Sequence, residues 1–364
     1  MRRLHVRGRM RGTVTAVDLE RDDLQDVRVR VGDQERRALC YPRLTGAVEV
    51  GDEVLLNTWA VEMRLGSGGA DFVAAGPFRD EPVEPPGHII KLRYTPLQHP
   101  VLAAEAPESP HHAAISRFRS LEGIPVVCAE LHSQLPAIAA AAKWETLGSA
   151  RVVYVMTDGA ALPLALSDLV HRMREAHLVD ATVTAGQAFG GDFEAVNLYS
   201  ALAVARVAAR ADVIVVGQGP GNVGTGTALG FSGIEQGTAI NAAAVLGGTA
   251  IAVARLSFAD PRPRHVGLSH HTRTVLSQIA QCSALVPIPS LPEAERRLLM
   301  ADLERAGLRE RHEFVTVQAS YGLEALERTG IPVTTMGRSI GEERPFFLAA
   351  AAAGQLAGQI AASG

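Results

Sequence analysis

Glycine is concentrated at residues 217–233 of this 364-residue sequence, which read GQGPGNVGTGTALGFSG. Because glycine has no side chain, backbone N–H groups in such a segment can approach an anion closely. The segment therefore predicts an anion- or phosphate-binding loop, with a purely structural turn as the alternative. The candidate ligand-binding residues of the loop are Gly217, Gly219, Gly221, Asn222, Gly224, Thr225, Gly226 and Thr227.

Two common nucleotide-binding patterns fit this loop poorly. It contains Gly219-x-Gly221-x-x-Gly224, but it follows the fourth predicted strand of its domain rather than the first, and no acidic residue ends the next strand. It also lacks the Gly-Lys-Ser/Thr ending of a P-loop. The sequence therefore disfavours NAD(P) and ordinary NTPase chemistry, and it leaves the bound anion unidentified.

Polar residues after the loop could complete a site for a small anionic molecule. Ser232 and Glu235 open a predicted helix, where Ser232 could either cap the helix or contact the ligand. Arg255 and Arg264 follow the next predicted strand and could neutralise negative charge. We count all four among the candidate ligand-binding residues.

Histidine and aspartate residues provide the candidate catalytic groups, because they can transfer protons or bind metals. The segment from Phe258 to Thr274 holds three histidines, and adjacent His270 and His271 cannot both point inward from the start of a helix. The candidate catalytic residues are His132, Asp158, Asp192, His270 and His271. No HExxH or comparable metal-binding spacing is present. The pattern thus fits either a His/Asp site for a divalent metal or a set of hydrogen-bonded structural histidines.

Composition and cysteine spacing indicate the cellular compartment and the classes of partner that the sequence disfavours. The 35 basic and 39 acidic residues nearly cancel, which disfavours nucleic acid as a partner. Cys40, Cys128 and Cys282 are far apart and lack CxxC spacing, as is typical of a reducing compartment. No apolar core follows the N-terminal arginines. The alanine-rich stretch from Phe346 to Ala362 is interrupted by glycine and glutamine and is too short and too weakly hydrophobic to span a membrane. We therefore expect a cytoplasmic protein with no membrane association.

The chemistry-bearing residues belong to the larger of two predicted domains. Residues 1–85 form short runs that alternate in polarity, which predicts a small antiparallel β-barrel. Residues 86–122 are rich in proline and predict a connection that contains a docking strand near His88 to Tyr94. Residues 123–364 alternate apolar runs with helical stretches, which is typical of an α/β ligand-binding domain. The predicted barrel strands are Thr13 to Val17, Val27 to Val31, Ala38 to Tyr41, Val54 to Asn57 and Asp71 to Ala75.

Eight strands and seven helices are predicted in the α/β domain. Strands that are apolar throughout, such as Val213 to Val216, favour a parallel sheet that is covered on both faces. The expected strands are Val126 to Ala129, Val152 to Met156, Ala181 to Thr184, Val213 to Val216, Ile251 to Ala254, Ala284 to Ile288, Phe314 to Val317 and Val333 to Met336. The expected helices are Leu135 to Leu147, Leu162 to His177, Phe193 to Arg210, Glu235 to Leu246, Thr272 to Cys282, Glu293 to Ala306 and Pro345 to Ala361.

The short last strand and the uneven loops favour an open, doubly wound, mostly parallel sheet of Rossmann-like type over a closed (β/α) barrel. Ligands of open parallel sheets bind beyond the carboxyl ends of the strands. Glu130 and His132 follow the first strand, Asp158 the second and Asp192 the third, while His265 follows the fifth. We therefore expect these residues, the glycine-rich loop and the later histidines to share one rim.

Five longer runs carry a resemblance to a known family: GHIIKLRYTPLQHPV (87–101), VYVMTDGAALPLALSDLV (153–170), GQAFGGDFEAVNLYSAL (186–202), GPGNVGTGTALGFSGIEQG (219–237) and RHVGLSHHT (264–272). They resemble the DUF3866 family, a bacterial domain family of unknown function. The likeness covers nearly the whole chain and implies a bacterial cytoplasmic protein, but it carries over no catalytic residues.

Two functions remain open from the sequence. The first is an enzyme of hydrolase or transferase type that acts on a small anionic molecule, for example a phosphorylated one. The second is a noncatalytic metabolite sensor or oligomeric scaffold, in which the barrel passes ligand occupancy to a partner. The alanine-rich C-terminal helix could either form the interface of a homo-oligomer or cover the sheet.

Overall fold

The computed structural model describes residues 8–66, 68–79 and 84–363. The chain forms two compact units, Met1–Val101 and Leu102–Gly364. The proline-rich segment that the sequence predicts as a connection is thus divided between them. The N-terminal arginines Arg2, Arg3 and Arg7 lie outside the described residues.

The first unit contains a closed five-stranded barrel in the order β1-β2-β3-β5-β4. Its core holds alternate residues of the strands, for example Val27 and Val29, which are fully buried while Arg28 between them is exposed. The expectation of purely antiparallel pairing is wrong in one place, because β3 and β5 are parallel. The strands are β1 (Arg9–Arg21), β2 (Leu24–Val31), β3 (Gln34–Cys40), β4 (Glu53–Asn57), β5 (Asp71–Ala75), β6 (Ile89–Lys91) and β7 (His99–Val101), and the short helices are α1 (Pro42–Thr45) and α2 (Trp59–Glu62).

The second unit contains an eight-stranded sheet in which all strands are parallel, which confirms the predicted α/β fold. The strand order is β11-β10-β9-β12-β8-β13-β16-β17. The strands of this unit are β8 (Pro125–Cys128), β9 (Val152–Thr157), β10 (Ala181–Ala185), β11 (Phe193–Ala195), β12 (Val213–Gln218), β13 (Thr249–Ala252), β14 (Leu256–Ser257), β15 (Gly267–Leu268), β16 (Leu285–Pro289), β17 (Glu313–Val317), β18 (Thr334–Thr335) and β19 (Arg338–Ser339).

The eighth strand of the sheet differs from the predicted one. The predicted strand Val333 to Met336 is wrong, because Thr334–Thr335 forms a small hairpin with Arg338–Ser339 and pairs with no other strand in the described part of the chain. The eighth strand is instead β11, which lies at the sheet edge beside β10, within the stretch predicted as helix. That helix begins only at Leu198, where the Asn197 side chain accepts a hydrogen bond from the Ser200 amide and caps it.

Helices cover both faces of the sheet. The helices are α3 (His112–Ile115), α4 (Leu135–Glu145), α5 (Asp168–Glu175), α6 (Leu198–Val207), α7 (Glu235–Val245), α8 (His270–Thr274), α9 (Glu293–Arg305), α10 (Ser320–Arg328) and α11 (Arg344–Ser363). Alternate strand residues point to opposite faces: Val153 and Val155 belong to the core cluster that includes residues of α6, α7 and α9, whereas Val152 and Tyr154 belong to the cluster that includes residues of α4, α10 and α11. A turn of π-helix, Val275–Ile279, extends α8.

Helix α11 corrects the expectation that the C-terminal apolar stretch is too short to span a membrane. With 20 residues it passes that test by length and composition. However, 61% of its apolar window is buried inside the unit, as in the core helix of a globular protein. It packs closely on α4, since a Cβ at Gly354 would lie 2.0 Å from the Ile138 carbonyl oxygen.

The order of the strands creates a crevice between β8 and β12. These two strands are neighbours, yet the chain leaves β8 into α4 on one face and leaves β12 towards α7 on the other. Loops that depart to opposite faces leave an opening at the carboxyl ends of the strands, which is where ligands of such sheets bind.

Candidate functional site

Three histidines come together at the carboxyl edge of the sheet. The hairpin formed by β14 and β15 holds the intervening segment, in which His265 ends a short 3₁₀ turn. His270 and His271 begin α8, and the Ser269 side chain caps that helix by accepting a hydrogen bond from the His271 amide. The ring centroids lie 4.3 Å apart for His270 and His271, 4.9 Å for His265 and His270, and 5.1 Å for His265 and His271. One metal-ligating atom from each side chain lies within 4.8 Å of the others.

A buried carboxylate supports this histidine cluster. Glu130 follows β8 and its side chain is completely buried. Its Oε1 accepts hydrogen bonds from His271 Nδ1 at 2.8 Å and from Arg255 Nη1 at 3.1 Å. Burial alone would raise the pKa of Glu130, but the hydrogen bond from His271 and the charge of Arg255 outweigh it and lower that pKa. Glu130 is therefore ionised and paired, and Arg255 is engaged by it rather than free for a ligand.

His265 and His270 have lowered pKa values, so both rings are neutral at physiological pH. Burial and the charge of Arg255 lower the pKa of His265 to about 3. Burial and the proximity of His271 lower the pKa of His270 to about 4. The Nε2 atom of His270 is buried and has no hydrogen-bond partner among the described residues. Neutral imidazoles can accept a proton or donate a lone pair to a metal.

The glycine-rich loop meets the cluster through an aromatic residue. Phe231 stacks on the His271 ring with centroids 3.9 Å apart and an interplanar angle of 2°. Before it, the loop closes on itself: the Thr225 amide donates to the Gly230 carbonyl at 2.8 Å, and the Val223 amide donates to the Ser232 side chain at 3.1 Å. These amides are therefore occupied within the loop instead of being presented to an anion.

The predicted loop residues occupy two different settings. Gly217 lies within β12, whereas residues 221–229 are exposed. Asn222 holds the base of the loop, because its Oδ1 accepts hydrogen bonds from Gln218 Nε2 at 2.9 Å and from the Ser232 hydroxyl at 2.7 Å. Ser232 thus fixes the loop and is not the cap residue of α7. Residues Gly219, Gly221, Gly224, Thr225, Gly226 and Thr227 belong to the same loop.

A small cavity lies in the crevice between β8 and β12. Its lining includes Glu130, Thr157, Gln218, Glu235 and Gln236. The amide nitrogens of both glutamines donate to backbone carbonyls, and each buried Oε1 has no partner among the described residues. The Thr157 hydroxyl donates to Glu235 Oε2 at 2.6 Å. Burial raises the pKa of Glu235, and the charge of Asp158 raises it further.

Two of the predicted catalytic residues are engaged in structural contacts. Both ring nitrogens of His132 are bonded, to the Tyr154 hydroxyl at 3.3 Å and to the Ser167 hydroxyl at 2.7 Å. Asp192 does not lie on the expected rim. It bonds to Thr182, near the amino end of β10, and pairs with Arg174 at 2.8 Å.

The remaining predicted residues lie near the crevice. Asp158 follows β9 and accepts a hydrogen bond from the Gln187 amide at 2.9 Å. Arg264 is exposed, and its charge contributes to lowering the pKa of His270. The structure thus brings together His270, His271, Asp158, Glu235, Arg255 and Arg264 at one edge.

Comparison with protein families accounts for most of this chain. The family model described as "Protein of unknown function (DUF3866)" matches residues 37–354. The chain belongs to the DUF3866 family. No curated protein sequence matches it. In this DUF3866 protein the match begins inside β3 of the barrel, ends inside α11, and includes the whole histidine cluster and Glu130.

Sequence patterns assign no role to several residues of the DUF3866 site. Glu130 and His265 are expected on the rim, but nothing in their local spacing singles them out. Phe231, Gln218 and Gln236 read as ordinary loop, strand and helix residues. The available signal is position, because each lies at or beyond the carboxyl end of a strand that proves to be central in the sheet. That signal becomes specific only when the order of the strands is known.

Proposed function

We propose that this DUF3866 protein is an enzyme of hydrolase or transferase type that acts on a small molecule carrying an anionic group. The observation that carries the proposal is the meeting of proton-transfer groups from separate loops at one crevice. Glu235 follows β12, His270 follows β13, and Glu130 follows β8. Perturbed carboxyl and imidazole groups gathered at such a crevice are typical of catalytic sites.

The properties of these groups suggest their roles. The raised pKa of Glu235 suits a carboxyl group that delivers a proton, whereas neutral His270 suits either a proton acceptor or a ligand of a metal ion. Exposed Arg264 is the candidate contact for the anionic group of the substrate, since Arg255 is already paired with Glu130. The substrate would lie above the cavity, on the open carboxyl edge.

The proposal is tested by incubating the full chain with a library of phosphorylated and carboxylated metabolites and measuring consumption by mass spectrometry. For a substrate found in this way, Glu235→Gln should lower kcat by roughly 100-fold or more, as expected for loss of a general acid. Arg264→Met should raise KM. The matched control is Arg297→Met, which changes an arginine whose side chain is 73% exposed on α9 and should leave both constants unchanged.

A noncatalytic sensor would give a different result. A metabolite would raise the melting temperature of the protein and Arg264→Met would weaken that effect, yet no product would form. This outcome contradicts the enzyme proposal and supports ligand sensing at the same edge.

A further inference from the structure

We infer that His265, His270 and His271 bind one divalent late first-row transition metal ion, of which Zn²⁺ is the simplest representative. The inference deepens the proposed function, because it names a cofactor of the same site. The catalytic role of the ion rests on that proposed function. Binding of the ion can be measured without any substrate.

The positions of the histidines are suited to one shared ion. Their ligating atoms lie within 4.8 Å of one another. Two nitrogens that bind the same tetrahedral zinc at ~2.0–2.1 Å are about 3.4 Å apart. Side-chain rotations that move each nitrogen by roughly 1 Å would therefore complete the geometry. Because His270 is only partly buried and Arg264 beside it is exposed, an ion can reach the cluster from solvent.

Hydrogen bonds orient two of the three rings as metal sites require. His271 Nδ1 lies 2.8 Å from Glu130 Oε1, so this contact occupies Nδ1 and leaves Nε2 available for an ion. His265 Nδ1 is bonded to the Ser269 hydroxyl at 2.9 Å, which likewise leaves Nε2 available. A carboxylate or hydroxyl on the far nitrogen is the usual outer partner of a metal-binding histidine.

The third histidine supplies an independent observation. The Nε2 atom of His270 is buried without a hydrogen-bond partner among the described residues, a state that is costly for a polar atom. A metal ion that accepts the lone pairs of all three rings removes this cost. Positive charge nearby is offset, because Arg255 pairs with Glu130 and Arg262 pairs with Asp260.

The donor set selects the kind of metal. Neutral imidazole nitrogens bind Zn²⁺, Co²⁺, Ni²⁺, Cu²⁺ and Fe²⁺, whereas Mg²⁺ and Ca²⁺ prefer oxygen ligands. Three protein ligands leave a coordination position for water or substrate, as in catalytic zinc sites. Such an ion acidifies its bound water or polarises a substrate oxygen, which is the chemistry that a hydrolase needs.

The test uses the full chain without a histidine tag, stripped with a chelator and titrated with Zn²⁺ by calorimetry. We expect one Zn²⁺ per chain and a visible ligand-field spectrum of low coordination number when Co²⁺ is substituted. His270→Ala and the milder His270→Gln should each weaken Zn²⁺ binding more than 100-fold. Glu130→Gln should weaken it by roughly 10- to 100-fold, the effect of losing an outer partner. The control is His171→Ala, which changes a histidine with a 46% exposed side chain on α5 and should have no effect.

Circular dichroism shows whether each variant is folded, and His270→Gln remains informative if His270→Ala is not. Equal Zn²⁺ affinity of the His270→Gln and His171→Ala variants, or no stoichiometric binding by the native chain, would overturn the inference. Tight Zn²⁺ binding without turnover of any metabolite would support the metal site while contradicting the proposed enzyme. Turnover that survives complete metal removal would support the proposed enzyme while contradicting a catalytic role for the ion.

Discussion

Replacement of Glu130 by glutamine offers a direct measurement of how much the buried charge network stabilises the second unit. The substitution keeps the shape of the side chain but removes its charge. The Arg255 side chain, only 5% exposed and 3.1 Å from Glu130, then remains buried without a counter-charge. Loss of one partner of a buried ion pair costs about 3–5 kcal/mol. We therefore expect the free energy of unfolding to fall by about 3–5 kcal/mol.

The expected loss of about 3–5 kcal/mol in the free energy of unfolding also predicts a fall in the melting temperature. For a unit of this size each kcal/mol corresponds to about 2–4 °C in melting temperature, so the expected decrease is roughly 6–20 °C. The assay is urea unfolding followed by circular dichroism, with excess chelator present so that bound metal does not contribute to stability. The control is Glu122→Gln, which removes the same charge from an exposed pair with Arg206 at 2.8 Å and should cost less than about 1 kcal/mol.

A double-mutant cycle separates the effect of breaking the Glu130–Arg255 ion pair from the other effects of each substitution. Arg255→Met combined with Glu130→Gln leaves no unpaired charge, so the double variant should be more stable than the sum of the single effects predicts, by at least about 1.5 kcal/mol. Additive effects, or a loss for Glu130→Gln no larger than for Glu122→Gln, would refute the reasoning. In that case water would have to reach the network freely.

Three further predictions concern packing, capping and acid stability. Gly354→Ala should destabilise the protein by about 1–3 kcal/mol in urea unfolding, because its Cβ would lie 2.0 Å from the Ile138 carbonyl oxygen, whereas Gly341→Ala, with no atom within 4 Å of the added Cβ, should change little. Ser167→Ala should cost about 0.5–2 kcal/mol by the same measurement, because the hydroxyl caps α5 by accepting from the Val170 amide at 3.1 Å, and an unchanged midpoint would contradict this. Asp260→Asn should be less stable than the native chain at pH 7, and this difference should shrink progressively as the pH falls below about 4. The hydrogen bonds and charge of Arg262 lower the pKa of Asp260 in the folded state. The stabilisation by the ionised carboxylate is therefore present above the unfolded pKa and declines as Asp260 becomes protonated. A stability difference that does not vary between pH 3 and 7 would exclude this cause.

Much of the fold could be predicted because hydrophobic periodicity is a local property. Fully apolar runs such as Val213 to Val216 are buried on both faces of a sheet, and alternating runs such as Val27 to Val31 are half-buried. The failure at the eighth strand has a local cause as well. Phe193–Ala195 is only three residues long and is followed closely by helix α6, so its composition merges with that of the helix.

The candidate site was less accessible to prediction. Parallel strands place their following loops at one edge, which is why Asp158, Glu235, His270 and His271 were expected together and lie near one crevice. The same rule places Asp192 wrongly, because the loop after β10 turns back and joins Thr182 near the amino end of that strand. Anion binding by the glycine-rich loop remains a prediction. The amides of Val223 and Thr225 bond within the loop and are not presented to an anion.

Local residue patterns are enough to predict the kinds of element, their approximate bounds and the concentration of polar groups after the strands. Which of those groups meet depends on the order of the strands in the folded chain. Glu130 and His271 are separated by 141 positions in the sequence and become bonded because β8 lies between β12 and β13 in the sheet. Strand order depends on how helices pack on both faces and how loops close, whereas periodicity reports only which side of each element is buried. For that reason the ionised glutamate, its arginine and the three converging imidazoles became recognisable as one site only in the folded chain.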